Sequence, residues 1–250
     1  MQIDLTDRTA LITGGGTGIG RAIALGMAEH GARVVVNFSR SRDEAHQTVK
    51  DIEQAGSKAI AVQADVTNWD EVQALLAAAR EAFGRVDVLV NNAGGVFGKQ
   101  STADMPVDVW DKTIALNLRG VFLCSKAAIP QLPDKHGRII NITSISAFSG
   151  KGGPAYGPAK AAVVALTRDM ATELAPRGIT VNGIAPGIID TRIHRLGTPP
   201  DEYQRLIGLI PLGRDGKDHE VAAAALLFAS DAGGFITGDT IHVNGGMLMV

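Results

Sequence analysis

The sequence is short of cysteine and of net charge. Of its 250 residues only Cys124 carries a thiol, so no disulfide can close within the chain. That excludes a disulfide-stapled scaffold and fits a reducing compartment. The formal charge is -2, which lacks the basic excess of a nucleic-acid or membrane-surface binder. No apolar run is long enough to cross a bilayer. Met1-Gln2-Ile3-Asp4 lacks the basic and then apolar order of a secretory signal. The six histidines show no paired metal-ligand spacing, so no metal is expected. No repeat and no low-complexity linker interrupts the chain. These absences lead to the expectation of a cytoplasmic protein with a small-molecule partner, formed as one domain over residues 1–250.

What is present is an alternation. Short β-branched runs are expected as strands at Thr9–Thr13, Arg33–Phe38, Lys58–Ala64, Val86–Val90, Gly137–Thr143, Ile179–Ile184 and Thr240–Val243. Helical patterns lie between them, at about Gly18–His30, Arg42–Ala55, Trp69–Phe83, Val107–Leu132, Tyr156–Ala175 and His219–Ala229. The segment from Gly187 to Gly216, with Pro199, Pro200 and Pro211, is expected to be irregular. Strands alternating with helices predict an α/β fold: a single doubly wound parallel sheet, Rossmann-like, with helices on both faces. Ligands of such sheets sit beyond the carboxyl ends of the strands, where strand order reverses.

Between the first strand and the first helix stands Thr13-Gly14-Gly15-Gly16-Thr17-Gly18-Ile19-Gly20. A pyrophosphate site needs a tight turn and a close backbone approach, and glycine permits both. The following helix points its positive end at the phosphates. Gly14 is assigned to the turn, Gly18 to close approach and Gly20 to helix–strand packing; Thr17 and Ile19 complete the candidate site. The bland alternative is a glycine loop without a ligand. Asn91-Asn92-Ala93-Gly94-Gly95 ends the fourth strand and by itself is equally an ordinary turn. Asp65-Val66 follows the third strand; the carboxylate either accepts from an adenine amino group or caps the helix near Trp69.

Tyr156 and Lys160 are four residues apart, which places them on one helix face. A phenol titrates near 10, and an ammonium at about 4 Å supplies a few kcal/mol toward lowering that value. Tyr156 beside Lys160 is therefore a candidate tuned acid, and the alternative is a solvated helix face. The hydroxyl of Ser144 can hydrogen-bond an oxygen that gains charge during reduction, or simply close a turn. Cys124 is expected to be packed rather than reactive. Tyr203, Leu206, Ile207 and Ile210 recur at helical spacing, as a lid or as core packing.

Taken together, these motifs resemble the short-chain dehydrogenase/reductase family across essentially the whole chain. The matching residues are the turn Thr13–Gly20, Asn91-Asn92-Ala93-Gly94, Asn117, Ser144, Tyr156, Lys160 and Pro186-Gly187. Within the family the chain is most similar to carbonyl reductases of the 3-oxoacyl-acyl-carrier-protein type. The resemblance implies that Tyr156 gives a proton to the carbonyl oxygen and Ser144 polarises that oxygen. It implies that Lys160 binds the nicotinamide ribose and depresses the Tyr156 pKa, and that Asn117 holds a water linking Lys160 to solvent. It further places Asn92, Ala93, Gly94, Pro186, Gly187, Ile189 and Thr191 against the cofactor, Thr191 at the carboxamide. Substrate choice would reside in Gly95–Lys99 and about 188–216.

The second strand ends Asn37-Phe38-Ser39-Arg40-Ser41-Arg42, without the carboxylate that an NAD site offers to the ribose 2′-hydroxyl. Arg40 and Arg42, with Ser39, are candidate partners for a 2′-phosphate, so NADP(H) is expected over NAD(H). Both remain usable if these arginines are only solvated charges. Small Ala and Val faces on the helices after Val107 and around Tyr156, together with the resemblance, lead to the expectation of a homotetramer. The rival functions are an NAD-dependent sugar, steroid or small-alcohol dehydrogenase and a silent dinucleotide sensor. A sensor has no need of Ser144, Tyr156 and Lys160.

Overall fold

A strand buried on both faces needs an unbroken apolar run, and the runs expected above do form strands in the computed structural model, which describes residues 3–98, 100–191 and 199–250. The order is β1 (Thr9–Ile12), α1 (Gly18–Glu29), β2 (Arg33–Phe38), α2 (Arg42–Gln54), β3 (Ala59–Gln63), α3 (Trp69–Phe83) and β4 (Val88–Asn91). Then come α4 (Val107–Ile114), a π turn (Ala115–Arg119), α5 (Gly120–Ala128), β5 (Arg138–Ile142), α6 (Ser146–Ser149) and α7 (Gly153–Leu174). The described chain closes with β6 (Thr180–Pro186), α8 (Pro200–Ile207), α9 (Asp218–Ala229) and β7 (Thr240–Val243).

The strands form one seven-stranded sheet in the order β3-β2-β1-β4-β5-β6-β7. Every pairing is parallel. The doubly wound α/β expectation is borne out. Alternation along each strand divides the core in two. Ile12, Val36, Val90 and Ile140 face α1, α2 and α9 through Ile23, Met27, Ile52 and Phe228. Leu11, Val35, Leu89 and Ile139 face α3, α5 and α7 through Leu75, Leu123, Met170 and Leu174. Strand order reverses between β1 and β4, so the glycine turn and the Asn91–Gly95 segment meet at one edge.

Two expectations are corrected. The single helix expected over Val107–Leu132 is interrupted by a π turn at Ala115–Arg119 and ends at Ala128. Pro130, which has no N–H, follows two residues later. The segment from Gly187 to Gly216 is not wholly irregular, because α8 begins at Pro200. Proline breaks a helix interior but suits its first position, where the missing N–H is an orphan anyway. Cys124 is buried, and burial pushes its thiol up to about 12, so it stays a thiol.

Candidate active site

The glycine turn is held from beneath by two side chains. Thr13 Oγ1 accepts from the amides of Asn92 and Ala93 at 2.9 and 3.0 Å. The Asn92 amide donates to the carbonyls of Thr13 and Gly14 at 2.9 and 3.2 Å. Gly14 has φ +62° and Gly18 φ +50°, both left-handed values that glycine tolerates without strain. At Gly20 a methyl would stand 2.3 Å from the Gly14 carbonyl oxygen, so this glycine packs the helix against its own turn. At Gly18 a methyl would meet only Thr191, at 3.5 Å, so the chain beyond Pro186-Gly187 returns to the turn there. Thr17 occupies the N-cap of α1 without a side-chain cap, and no acidic residue lies in the first turn. The positive end of this twelve-residue helix is left for a ligand.

Asn37, buried at the end of β2, was not among the expected site residues. Its Oδ1 accepts from the Gly14 amide at 3.3 Å and its Nδ2 donates to the Ala64 carbonyl at 3.0 Å. It was legible only as a polar residue inside an apolar run. Past it, Ser39, Arg40 and Arg42 are exposed. Arg42 donates to Gln63 Oε1 at 2.7 Å and lies over the Phe38 ring, whereas Arg40 has no ion pair among the described residues. Asp43 and Glu44 belong to the first turn of α2. Asp65 closes a local turn with the Thr67 amide and hydroxyl at 2.9 and 2.8 Å. The cap of α3 is Asn68, so the capping alternative for Asp65 is corrected. Val66 is buried against Gly120.

On the other side of this edge, Ser144 follows β5, while Tyr156 and Lys160 rise from α7. Ser144 Oγ accepts from the Ser146 amide at 3.1 Å and lies close enough to Tyr156 for a side-chain hydrogen bond to lower the phenol pKa. Lys160 is buried; its Nζ donates to the Ile142 carbonyl at 2.8 Å and sits 5.8 Å from the Tyr156 ring centre. Burial holds the ammonium down, to about 8. Burial also raises the Tyr156 phenol, and the Ser144 hydrogen bond lowers it by less. The expected depression of Tyr156 by Lys160 is therefore absent in the protein alone: desolvation of both groups outweighs their proximity. The phenol stays protonated at neutral pH and is a proton donor.

Asn117 lies in the π turn, fully buried. Its Nδ2 donates to the carbonyls of Gly95 and Thr113 at 2.7 and 2.9 Å, and its Oδ1 accepts from the Gly95 amide at 3.1 Å. Both ends of the side-chain amide are thus engaged by protein. It clips the loop after β4 beside the lysine: a methyl on Gly94 would lie 2.8 Å from Asn117 Oδ1 and 3.2 Å from Lys160 Nζ.

Pro186 ends β6, and its carbonyl accepts from the Ile145 amide at 3.1 Å. Gly187 abuts Asn244, where a methyl would stand 2.8 Å from the Asn244 Cβ. Ile189 is buried and pairs with Gly216. An ionic clasp that sequence spacing did not disclose fastens this stretch. Lys217 Nζ donates to Asp190 at 3.2 Å and Asp215 at 3.0 Å, and the Tyr203 hydroxyl donates to Asp215 at 2.8 Å. Of the stripe on α8, Tyr203, Leu206 and Ile207 are half-buried and Ile210 beyond it is buried. Lys99 and residues 192–198, part of the expected substrate-selecting segments, lie outside the described residues.

A family model described as enoyl-(acyl carrier protein) reductase matches residues 14–248. A 3-oxoacyl-[acyl-carrier-protein] reductase of Synechocystis sp. is 45% identical over 98% of this chain and 98% of its own. The (2S)-[(R)-hydroxy(phenyl)methyl]succinyl-CoA dehydrogenase subunit BbsD of Thauera aromatica is 40% identical over 97% of each. Among solved structures, a dehydrogenase/reductase of Sinorhizobium meliloti superposes with a TM-score of 0.94 at 34% identity, covering 99% of this chain and 98% of that one. No helix among the described residues is long and apolar enough to cross a membrane. The chain belongs to the short-chain dehydrogenase/reductase family and is an oxidoreductase of carbonyl and hydroxyl groups that works with a nicotinamide dinucleotide.

Proposed function

We propose that this enzyme reduces the ketone of a 3-oxoacyl thioester with NADPH. The observation that carries the reading is the pair of hydroxyls, Ser144 beside Tyr156, at the edge where the buried Lys160 ammonium lies 5.8 Å from the Tyr156 ring centre. Two such donors suit an oxygen with lone pairs. A ketone presents such an oxygen on the carbon that takes the hydride. The similarity to the Synechocystis reductase supports the 3-oxoacyl thioester. The test is a panel of 3-oxoacyl thioesters, sugars, steroids and small ketones with NADPH; kcat/KM highest for a thioester is the expected result.

In this reading the amides at the start of α1, with Gly14, Thr17, Gly18, Ile19 and Gly20, hold the pyrophosphate. Asp65 and Val66 flank the adenine, and Asn92, Ala93, Gly94, Pro186, Gly187, Ile189 and Thr191 line the nicotinamide half. When bound, the nicotinamide ring supplies the hydride. Tyr156 donates its phenolic proton to the ketone oxygen, and Ser144 donates a hydrogen bond to the same oxygen as its charge grows. Lys160 donates to the ribose hydroxyls, and Asn117 acts by holding Gly95 beside it. The chain 188–191 and α8, fastened by Lys217, form the substrate wall.

NADPH is chosen because β2 ends without a carboxylate and Arg40 is exposed, with no ion pair among the described residues. Charge-assisted hydrogen bonds to a phosphate are worth about 1.5–3 kcal/mol each. Arg40→Ala/Arg42→Ala is therefore expected to lower kcat/KM with NADPH by about a hundredfold and with NADH by less than about threefold. Arg40→Ala alone should account for most of it, since Arg42 is engaged with Gln63. Equal losses with both cofactors would remove the assignment.

Dinucleotide affinity should depend on pH through Lys160. Its ordinary value is lowered to about 8, so the ammonium is present below that pH and lost above it. Affinity is expected to fall about tenfold one pH unit past the midpoint. Fluorescence titration across this range checks it, and Lys160→Met should give a flat profile.

The enzyme is taken to be a homotetramer. Val107 and Trp110 on α4 and Phe122 on α5 are exposed apolar side chains on helices suited to pairing across a two-fold axis. Light scattering at micromolar concentration should give four times the 26.1 kDa chain mass, and a monomer would exclude this assembly.

A further inference from the structure

A row of polar side chains runs through the apolar layer behind the active site. Asn91 on β4 and Asn141 on β5 are paired in register. They point to the same face as Leu89 and Ile139, toward α5 and α7. Asn91 Nδ2 donates to Ser125 Oγ on α5 at 3.0 Å and to Asn141 Oδ1 at 2.9 Å. Asn141 Nδ2 donates to Thr167 Oγ1 on α7 at 2.9 Å, and that hydroxyl donates to the Val163 carbonyl at 2.8 Å. All four side chains are at most 2% exposed. Asn91 donates to both neighbours, Ser125 on one side and Asn141 on the other, and from Asn141 the donors run on through Thr167 to the Val163 carbonyl; Asn91 Oδ1 has no hydrogen-bond partner among the described residues.

Burying polar groups here is costly unless they are paired, and apolar residues of equal size would fill the space. What the row adds is direction. The face of α7 that meets the sheet is otherwise made of small or apolar side chains such as Ala159, Val163 and Ala171, whose packing tolerates sliding along the helix axis. Thr167 follows Lys160 by seven residues, two helical turns, so both lie on the face that meets β5. Lys160 bonds the Ile142 carbonyl, one residue beyond Asn141. Two hydrogen bonds thus tie α7 to adjacent residues of β5, and Ser144 follows two residues later. The Thr167–Asn141 bond, braced by Asn91 and Ser125, sets how far α7 lies along β5.

We propose that Ser125, Asn91, Asn141 and Thr167 are positioning residues for the reaction: their buried hydrogen-bonded row fixes the axial place of α7, and with it the alignment of Tyr156 and Lys160 with Ser144. The proposal rests on the assignment of those three residues made above. None of the four touches the reacting atoms.

The experiment compares Thr167→Val, which keeps the shape and removes the hydroxyl, with Thr167→Ser, which keeps the hydroxyl and removes a methyl. Steady-state kinetics with NADPH and a 3-oxoacyl thioester are measured with thermal melting. A misplacement of the order of an ångström costs up to about a hundredfold in turnover. Thr167→Val is expected to lower kcat by about 10- to 100-fold, with KM for both substrates within about twofold. Thr167→Ser should recover kcat to within about threefold of wild type. A Thr167→Val enzyme that melts earlier yet keeps wild-type kcat would overturn the proposal and leave the row a stabilising feature only. So would a loss that Thr167→Ser fails to recover. Should Thr167→Val not fold, Ser125→Ala removes the far brace; a drop in kcat at unchanged KM supports the proposal, and wild-type kcat overturns it. Tyr156→Phe and Lys160→Met are run alongside. If these keep turnover, the site assignment itself falls; if they lose it while Thr167→Val does not, only the row's positioning role falls.

Discussion

Tyr156→Phe is expected to lower kcat by about a thousandfold while the dinucleotide Kd moves by less than about threefold. The phenylalanine ring occupies the same space over Lys160, so packing at the start of α7 is kept. What is lost is the one proton that burial and the Ser144 hydrogen bond hold ready at this edge of the sheet. General-acid catalysis is worth about 10²–10⁴, and no other described side chain with a dissociable proton is paired with Ser144 to replace it. Lys160 is not expected to substitute, since its ammonium donates to the Ile142 carbonyl and, in the proposed reading, to the ribose hydroxyls. Stopped-flow measurement of single turnovers, with fluorescence titration of the cofactor, separates chemistry from binding. A rate within a few-fold of wild type at saturating substrate would remove Tyr156 from the mechanism.

Gly20→Ala is expected to weaken dinucleotide binding by at least about a hundredfold and to destabilise the fold by about 1–3 kcal/mol. The added methyl would stand 2.3 Å from the Gly14 carbonyl oxygen and 2.5 Å from Asn92 Nδ2. The first is backbone, and the second is fixed by two hydrogen bonds to the turn, so neither can yield without moving the amides that face the phosphates. Gly26→Ala, in the same helix, is the control. Its methyl would lie 3.5 Å from Leu226, in ordinary contact, and alanine is the better helix former by about 1 kcal/mol. It should leave affinity unchanged and raise the melting temperature. Calorimetry of both variants checks the contrast, and equal behaviour would show that the turn is not tightly built.

Much of this architecture was legible because it is written in periodicity. The Val-Val-Val run of β2 and the amphipathic stretch of α3 have the expected bounds, since a doubly buried strand and a half-buried helix leave plain patterns. Tyr156, Lys160 and Ser144 could be brought together because helix geometry and the edge rule for parallel sheets are local and general. The π turn was not legible: Val107–Leu132 reads as one continuous helical pattern, and Asn117 within the turn reaches Gly95, a contact that spacing does not disclose. The charge states were misjudged for the same reason. Spacing places Lys160 near Tyr156 but says nothing of burial, which holds the lysine to about 8 and raises the phenol. Nor did spacing disclose that Lys217 would join Asp190 to Asp215, since that clasp depends on the path of the chain between them.

The most direct test of the central claim uses NADPH deuterated at the transferable position, with a 3-oxoacyl thioester and the unmodified enzyme. Mass and NMR analysis of the product should find one deuterium on the new carbinol carbon, in step with the loss of NADPH absorbance. NADPH that binds but is never oxidised by any ketone or thioester in the panel, or deuterium delivered to carbon elsewhere in the acyl chain, would contradict the account.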